Sequence, residues 1–169
     1  MMNKRIYIAN WKMNISAKES ENFLTKFIIL SKSLDDKEII FCPSFTTLPN
    51  LIRKYDNLDN ICFGAQNVGA KESGAYTGEV SASMLKELSC KYCIIGHSER
   101  RELYHESNSS INQKIKLLID NNIIPILCVG ETLEEKEQGQ GDIIVTNQLS
   151  LCLDNIEKNN IIIAYEPVW

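Results

Sequence analysis

Hydrophobic residues gather into six short runs, separated by longer stretches in which apolar and polar residues follow helical spacing. The runs are RIYIAN (5–10), EIIFCP (38–43), ICFGAQ (61–66), YCIIGH (92–97), IIPILCVGE (123–131) and IIIAYE (161–166). Most of them lack polar alternation, which predicts strands buried on both faces. Helical spacing covers 16–34, 46–55, 79–88, 108–121 and 142–157. Strand and helix therefore alternate through six strands and five crossovers, the pattern of an α/β protein with a parallel sheet and right-handed connections.

Two architectures share this order, an open doubly wound sheet and a closed (β/α)8 barrel. A dinucleotide-binding sheet carries a Gly-rich turn after its first strand, and this chain has ANWKMN there. Polar residues collect instead where strand after strand finishes: Asn10 and Lys12, Gln66 and Asn67, His97 and Glu99, Glu131, and Glu166. In a parallel barrel these ends form one rim, where barrel enzymes keep their chemistry. The longest irregular stretch, GAQNVGAKESGAYTG (64–78), has four glycines and little periodicity, as a functional loop does.

Composition narrows the class. With 169 residues and 44% hydrophobic content the chain can bury a core, and no low-complexity tract or linker divides it, so one domain over 1–169 is expected. Basic and acidic residues number 18 and 22, a net charge of −4 without long blocks, which argues against nucleic acid or an anionic membrane surface as partner. The apolar stretch near the start is too short for a signal sequence, and no run approaches the ~20 residues that span a bilayer. A cytoplasmic protein is expected. Cysteines at 42, 62, 90, 93, 128 and 152 are scattered, several within apolar runs, which fits buried free thiols in a reducing compartment.

Several residues carry candidate chemistry. GHSER (96–100) resembles a nucleophile elbow, but Arg100 stands where Gly is needed, which removes Ser98 as a nucleophile. Cys90, Cys93 and His97 lack a second paired half, and Cys93 and His97 would lie about 13 Å apart in a strand at ~3.3 Å per residue, so no zinc site is expected. His97 follows Gly96 at a strand end and can meet a helix N-terminus begun by Ser98 and Glu99, whose amides would hold a neutral, donating imidazole. Asn10 and Lys12 are two apart, so on extended backbone both point one way while Trp11 packs the other. A cation and an amide donor there suit an anionic substrate. Glu166 precedes Pro167, which restricts the acid to extended backbone, and it follows apolar IIIAY, whose partial desolvation would make it a better base. Cys128 sits among apolar neighbours with no basic activator and reads as a packed thiol.

Taken in order, IANWKMN, GAQNV, GAYTGEVSASML, IIGHSERR, ILCVGE and AYEPVW resemble the triosephosphate isomerase family across essentially the whole chain. The resemblance implies a TIM barrel whose enzyme interconverts dihydroxyacetone phosphate and glyceraldehyde 3-phosphate through an enediolate. It implies Glu166 as the base, His97 as the group that polarises the carbonyl and moves protons between oxygens, and Lys12 as the cation beside phosphate and enediolate. Asn10 would be a neutral substrate donor, with Ser98, Glu99 and Cys128 supporting the site. No metal or redox cofactor is implied, because the same base removes and returns the proton. The family's loop ending in Tyr76, Thr77 and Gly78 implies a homodimer, with Thr77 approaching the partner's Asn10 and Lys12 region.

The family barrel runs to about 250 residues and eight strands. This sequence supplies about six strands and five helices and reaches Trp169 in the first hinge of the lid loop, so an incomplete barrel domain over 1–169 is expected. Without the family's phosphate grip, little isomerase activity is expected of these 169 residues alone. Strands 1 and 6 would form open parallel edges. A competing reading is a non-catalytic remnant that keeps the dimer loop but not the phosphate site.

Overall fold

The computed structural model describes residues 5–31, 36–55, 57–157 and 160–169. Its strands are β1 (Arg5–Asn10), β2 (Lys37–Cys42), β3 (Ile61–Ala65), β4 (Tyr92–Ile95), β5 (Ile124–Val129) and β6 (Ile162–Tyr165). Its helices are α1 (Ala17–Leu30), α2 (Leu48–Tyr55), α3 (Ala82–Glu87), α4 (Ser98–Leu103), α5 (Asn108–Asp120), α6 (Leu133–Glu137) and α7 (Gly141–Cys152). The strands form one sheet in chain order, β1-β2-β3-β4-β5-β6, and every neighbouring pair is parallel.

Alternation within the strands builds two cores. Ile39, Phe41, Phe63, Cys93, Ile95, Leu127 and Val129 face the helices, where Leu24, Leu51, Leu85, Ile111, Ile115 and Leu118 are fully buried against them. The intervening residues Ile40, Cys42, Cys62, Tyr92, Ile94, Ile126 and Cys128 pack on one another, with Ile8, Ile162 and Ala164 from the edge strands joining them. This second cluster is made of strand residues alone, yet its members are buried without a helix packed over them, which requires the sheet to curve around them. The sheet is therefore the six-strand arc of a barrel, and this second cluster fills its lumen.

Two helices beyond the five expected from periodicity are present among the described residues. Both α4 and α6 are too short to show a periodic stripe, and each is started by capping. His97 caps α4, and Thr132 forms a capping box with Glu135 at the start of α6. The strand expected over 92–97 ends at Ile95 because Gly96 takes a left-handed φ of 65° before the His97 cap. The helix expected over 79–88 begins only at Ala82, where Ser81 accepts the Met84 N–H. The 142–157 helix stops at Cys152, ahead of Asn155 with φ 53°. The end of the 16–34 stretch falls partly outside the described residues; α1 itself closes at Leu30.

A buried ion pair fixes the loop after β3. Lys114 on α5 contacts Glu106 and donates to Asn67 Oδ1 at 2.8 Å, with both charged side chains at least 95% buried. Asn67 follows Gln66 directly, so this pair pins the loop beside the rim.

Candidate active site

At the C-terminal ends of the strands, four side chains from three separate connections form a continuous series. Lys12 Nζ lies 2.8 Å from Glu99 Oε1, Glu99 Oε2 lies 3.5 Å from His97 Nδ1, and His97 Nε2 lies 3.4 Å from Glu166 Oε2. Lys12 follows β1, His97 and Glu99 open α4 after β4, and Glu166 follows β6. The parallel sheet makes these ends neighbours; in the sequence they are up to 154 positions apart.

The backbone sets the histidine tautomer. His97 is the N-cap of α4, and its Nδ1 accepts the Glu99 N–H at 3.2 Å. A nitrogen that accepts must carry a lone pair, so the ring proton resides on Nε2, facing Glu166. His97 is 6% exposed, whereas the Glu166 side chain is 41% exposed. The histidine is fixed by the fold, and the carboxylate keeps an open side toward a guest.

Lys12 adopts a left-handed φ of 52°, which departs from the extended segment expected for residues 10–12. β1 ends at Asn10, whose Oδ1 accepts the Lys12 N–H at 3.0 Å, and the turn rather than strand alternation places the lysine. Gln66 braces it by donating to Lys12 O at 2.9 Å and Cys42 O at 2.8 Å. Trp11 packs away as expected, against Phe23 and Phe41. The Asn10 oxygen is occupied in the turn, which leaves its NH2 group as the donor. The hydrogen bond to Glu99 holds the Lys12 ammonium above its ordinary pKa, aided by the charges of Glu99 and Glu166. Reciprocally, the Lys12 hydrogen bond lowers the Glu99 carboxyl.

Cys128 ends within this cluster at 4% exposure. Burial first, and then the Glu166 charge, push its thiol up to about 12, so it is a thiol rather than a nucleophilic thiolate. Ser98 is the first residue of α4 and lines, with Glu166, Cys128, Thr132 and Gln148, a cleft of about 350 Å³. Tyr76, Thr77 and Gly78 stand apart on an exposed loop; Tyr76 lines a different cleft with Arg100, His105 and Lys114. Cys90, Cys93 and His97 form no ligand set, and among the described residues no group of three or more His, Cys, Asp or Glu is arranged to hold a metal. No helix among them is long and apolar enough to cross a membrane.

Three supporting residues were not legible as such in the sequence. Arg101 donates from Nε to Gly96 O at 2.7 Å and from Nη2 to Cys128 O at 3.3 Å, tying the ends of β4 and β5. Glu131, already prominent as a strand-end acid, receives the Tyr165 hydroxyl at 2.9 Å and the Trp169 indole N–H at 3.2 Å, and so holds both sides of the Glu166 segment. Gln148 binds Gly130 through both ends of its amide. Arg101 and Gln148 lie on helices, where nothing in residue spacing marks them.

Comparison with known proteins identifies relatives of the chain. The family model described as Triosephosphate isomerase matches residues 5–169. The Triosephosphate isomerase of Dictyoglomus thermophilum is 48% identical over 171 residues, covering 99% of this chain and 68% of the relative. That of Dictyoglomus turgidum is 46% identical with the same coverage. That of Mycoplasmopsis pulmonis is 41% identical over 173 residues, covering 99% of this chain and 70% of the relative.

Proposed function

Because the chain belongs to the triosephosphate isomerase family, we propose that Glu166, His97 and Lys12 carry out the proton transfers that interconvert dihydroxyacetone phosphate and glyceraldehyde 3-phosphate. The observation that supports this reading most directly is the 3.4 Å approach of Glu166 to a His97 nitrogen that bears the ring proton. Substrate binds over the pair, with its carbonyl oxygen toward His97 and the adjacent carbon toward Glu166.

The Glu166 carboxylate removes a proton from the carbon beside the carbonyl, and the electron pair moves onto the carbonyl oxygen to give an enediolate. His97 Nε2–H donates to that oxygen and relays the proton between the two oxygens. The protonated Glu166 then returns its proton to the neighbouring carbon, which turns the ketone into the aldehyde without net gain or loss of atoms. Lys12, kept charged by Glu99, neutralises the growing negative charge and faces the phosphate. Asn10 adds a neutral donor, while Ser98, Glu99 and Cys128 shape the surroundings without touching the reacting carbons. The reaction is internal to the substrate and calls for no cofactor.

The exposed loop with Tyr76, Thr77 and Gly78 supports a homodimer in which Thr77 meets the partner's rim, where Met13 is 97% exposed. A triose phosphate substrate of central metabolism supports a cytoplasmic location. The test is Glu166→Gln in the polypeptide its gene encodes, assayed for kcat and KM. Removing a general base typically costs on the order of 10²–10⁴-fold in rate, and that fall in kcat is expected. An unchanged kcat would remove Glu166 from the mechanism.

A further inference from the structure

The end of β5 holds Glu166 through one peptide group, and that peptide is itself held from α7. Val129 O accepts the Glu166 N–H at 2.8 Å. The other end of the same peptide, Gly130 N–H, donates to Gln148 Oε1 at 3.0 Å, and Gln148 Nε2 donates back to Gly130 O at 3.0 Å. A peptide group is planar, so a tilt at its N–H end is a tilt at its C=O end. We propose that Gln148 is a positioning residue for Glu166, acting through the Val129–Gly130 peptide; the inference rests on the reading of Glu166 as the base.

The packing leaves little slack in this connection. A Cβ on Gly130 would come within 1.8 Å of Glu166 O and 2.7 Å of its carbonyl carbon, so the two backbones are in close contact without any side chain between them. Gln148 and Glu166 also line the same cleft, which brings solvent to within reach of the Gly130 groups once the amide is removed. A glutamine side chain supplies an acceptor and a donor from one rigid amide, so it can satisfy the N–H and the C=O of a single glycine together. A structural need to anchor α7 is met elsewhere, since Val145, Leu149 and Cys152 pack on the core beneath the same helix. Both polar bonds of Gln148 converge on the residue that touches the base. Loss of the clamp frees the peptide to rotate, and a displacement of ~1 Å at a reacting group can cost on the order of 10²-fold in rate.

The experiment compares Gln148→Met, which keeps the volume but not the amide, with Gln148→Glu, which keeps the acceptor toward Gly130 N–H but removes the donor toward Gly130 O. Both are made in the polypeptide its gene encodes, and active sites are counted by titration with a hydroxamate mimic of the enediolate. The expected result is a fall of about tenfold or more in kcat per titrated site for Gln148→Met, with KM within twofold of the parent and Gln148→Glu intermediate. An unchanged kcat, or a loss that disappears when rates are expressed per titrated site, overturns the positioning role. If Gln148→Met does not fold, Gln148→Glu alone decides between the same outcomes. Glu166→Gln run in parallel separates the two readings: if it retains turnover, the base assignment fails; if it abolishes turnover while the Gln148 variants do not change it, only the positioning role fails.

Discussion

Nε2 of His97 lies 3.4 Å from Oε2 of Glu166, although 69 positions separate the two residues in the chain. A proton donor and a carboxylate face each other because β4 and β6 flank β5 in the sheet and both strands end at the same rim. What makes the histidine a donor on that side is a backbone amide on its other side. The main chain of α4 therefore controls the chemistry of the ring.

This control is visible to nitrogen NMR. The neutral His97 ring is expected to carry its proton on Nε2, with Nδ1 unprotonated and accepting. Observation of the opposite tautomer would contradict the capping geometry.

Glu99 is expected to titrate below the ordinary glutamate value, because the Lys12 hydrogen bond favours its charged form. With a depressed folded-state pKa, its contribution is present above the unfolded value of about 4.3 and is lost as pH falls through the lower folded value. The Lys12 share has the opposite sign: raised in the folded state, it is complete below about 10.4 and lost as pH rises through the raised value. Carboxyl carbon shifts followed from neutral pH to acid check this, and Lys12→Met should bring the Glu99 midpoint back up.

The Lys114 and Glu106 side chains are each at least 95% buried, so removing Lys114 leaves the Glu106 carboxylate with the longer 3.6 Å approach of Arg100 Nε in place of a close ammonium. Lys114→Met is expected to cost about 3–5 kcal/mol in urea unfolding, and the double variant Lys114→Met/Glu106→Gln considerably less than the single one. Equal losses in both would mean that the pair contributes by packing alone.

All six cysteines are buried, and none is joined in a disulfide. Burial raises the Cys90 thiol to about 11, and burial with the Glu166 charge raises Cys128 to about 12, which suppresses the reactive thiolate. A thiol-specific chromogenic reagent at pH 8 should therefore find no fast-reacting group in the native protein and six groups in denaturant. One rapid native equivalent would reveal a local opening at a cysteine.

Gly130→Ala places a methyl group against the Glu166 carbonyl. Overpacking of this kind typically costs about 1–3 kcal/mol, and a lower unfolding midpoint is expected. A crystal structure of the variant should also show the Glu166 backbone displaced from Val129 O. If neither changes, the β5 and β6 ends separate more easily than their contact implies.

Residue order alone was enough for the alternating elements, the parallel sheet and the polar rim, because burial on both faces leaves runs of apolar residues and helices leave a periodic stripe. Lys12, His97, Glu99 and Glu166 stood out because each follows an apolar run that ends at that rim. The short helices α4 and α6 did not stand out, since one or two turns have no period to read and depend on the His97 and Thr132 caps. Nor did the Lys12 turn, because a left-handed residue other than glycine is held by its partners Asn10 and Gln66, not by its own propensity.

Residue order settles which elements form, what chemistry stands at their ends, and which family the motifs resemble. Tertiary structure alone decided that Nε2 rather than Nδ1 of His97 carries the proton, that Arg101 ties β4 to β5, and that Gln148 grips the peptide beneath Glu166. The physical reason is distance along the chain. Periodicity and strand-end composition are properties of neighbouring residues, whereas a hydrogen bond between α7 and the end of β5 exists only after the sheet has brought them within 3 Å.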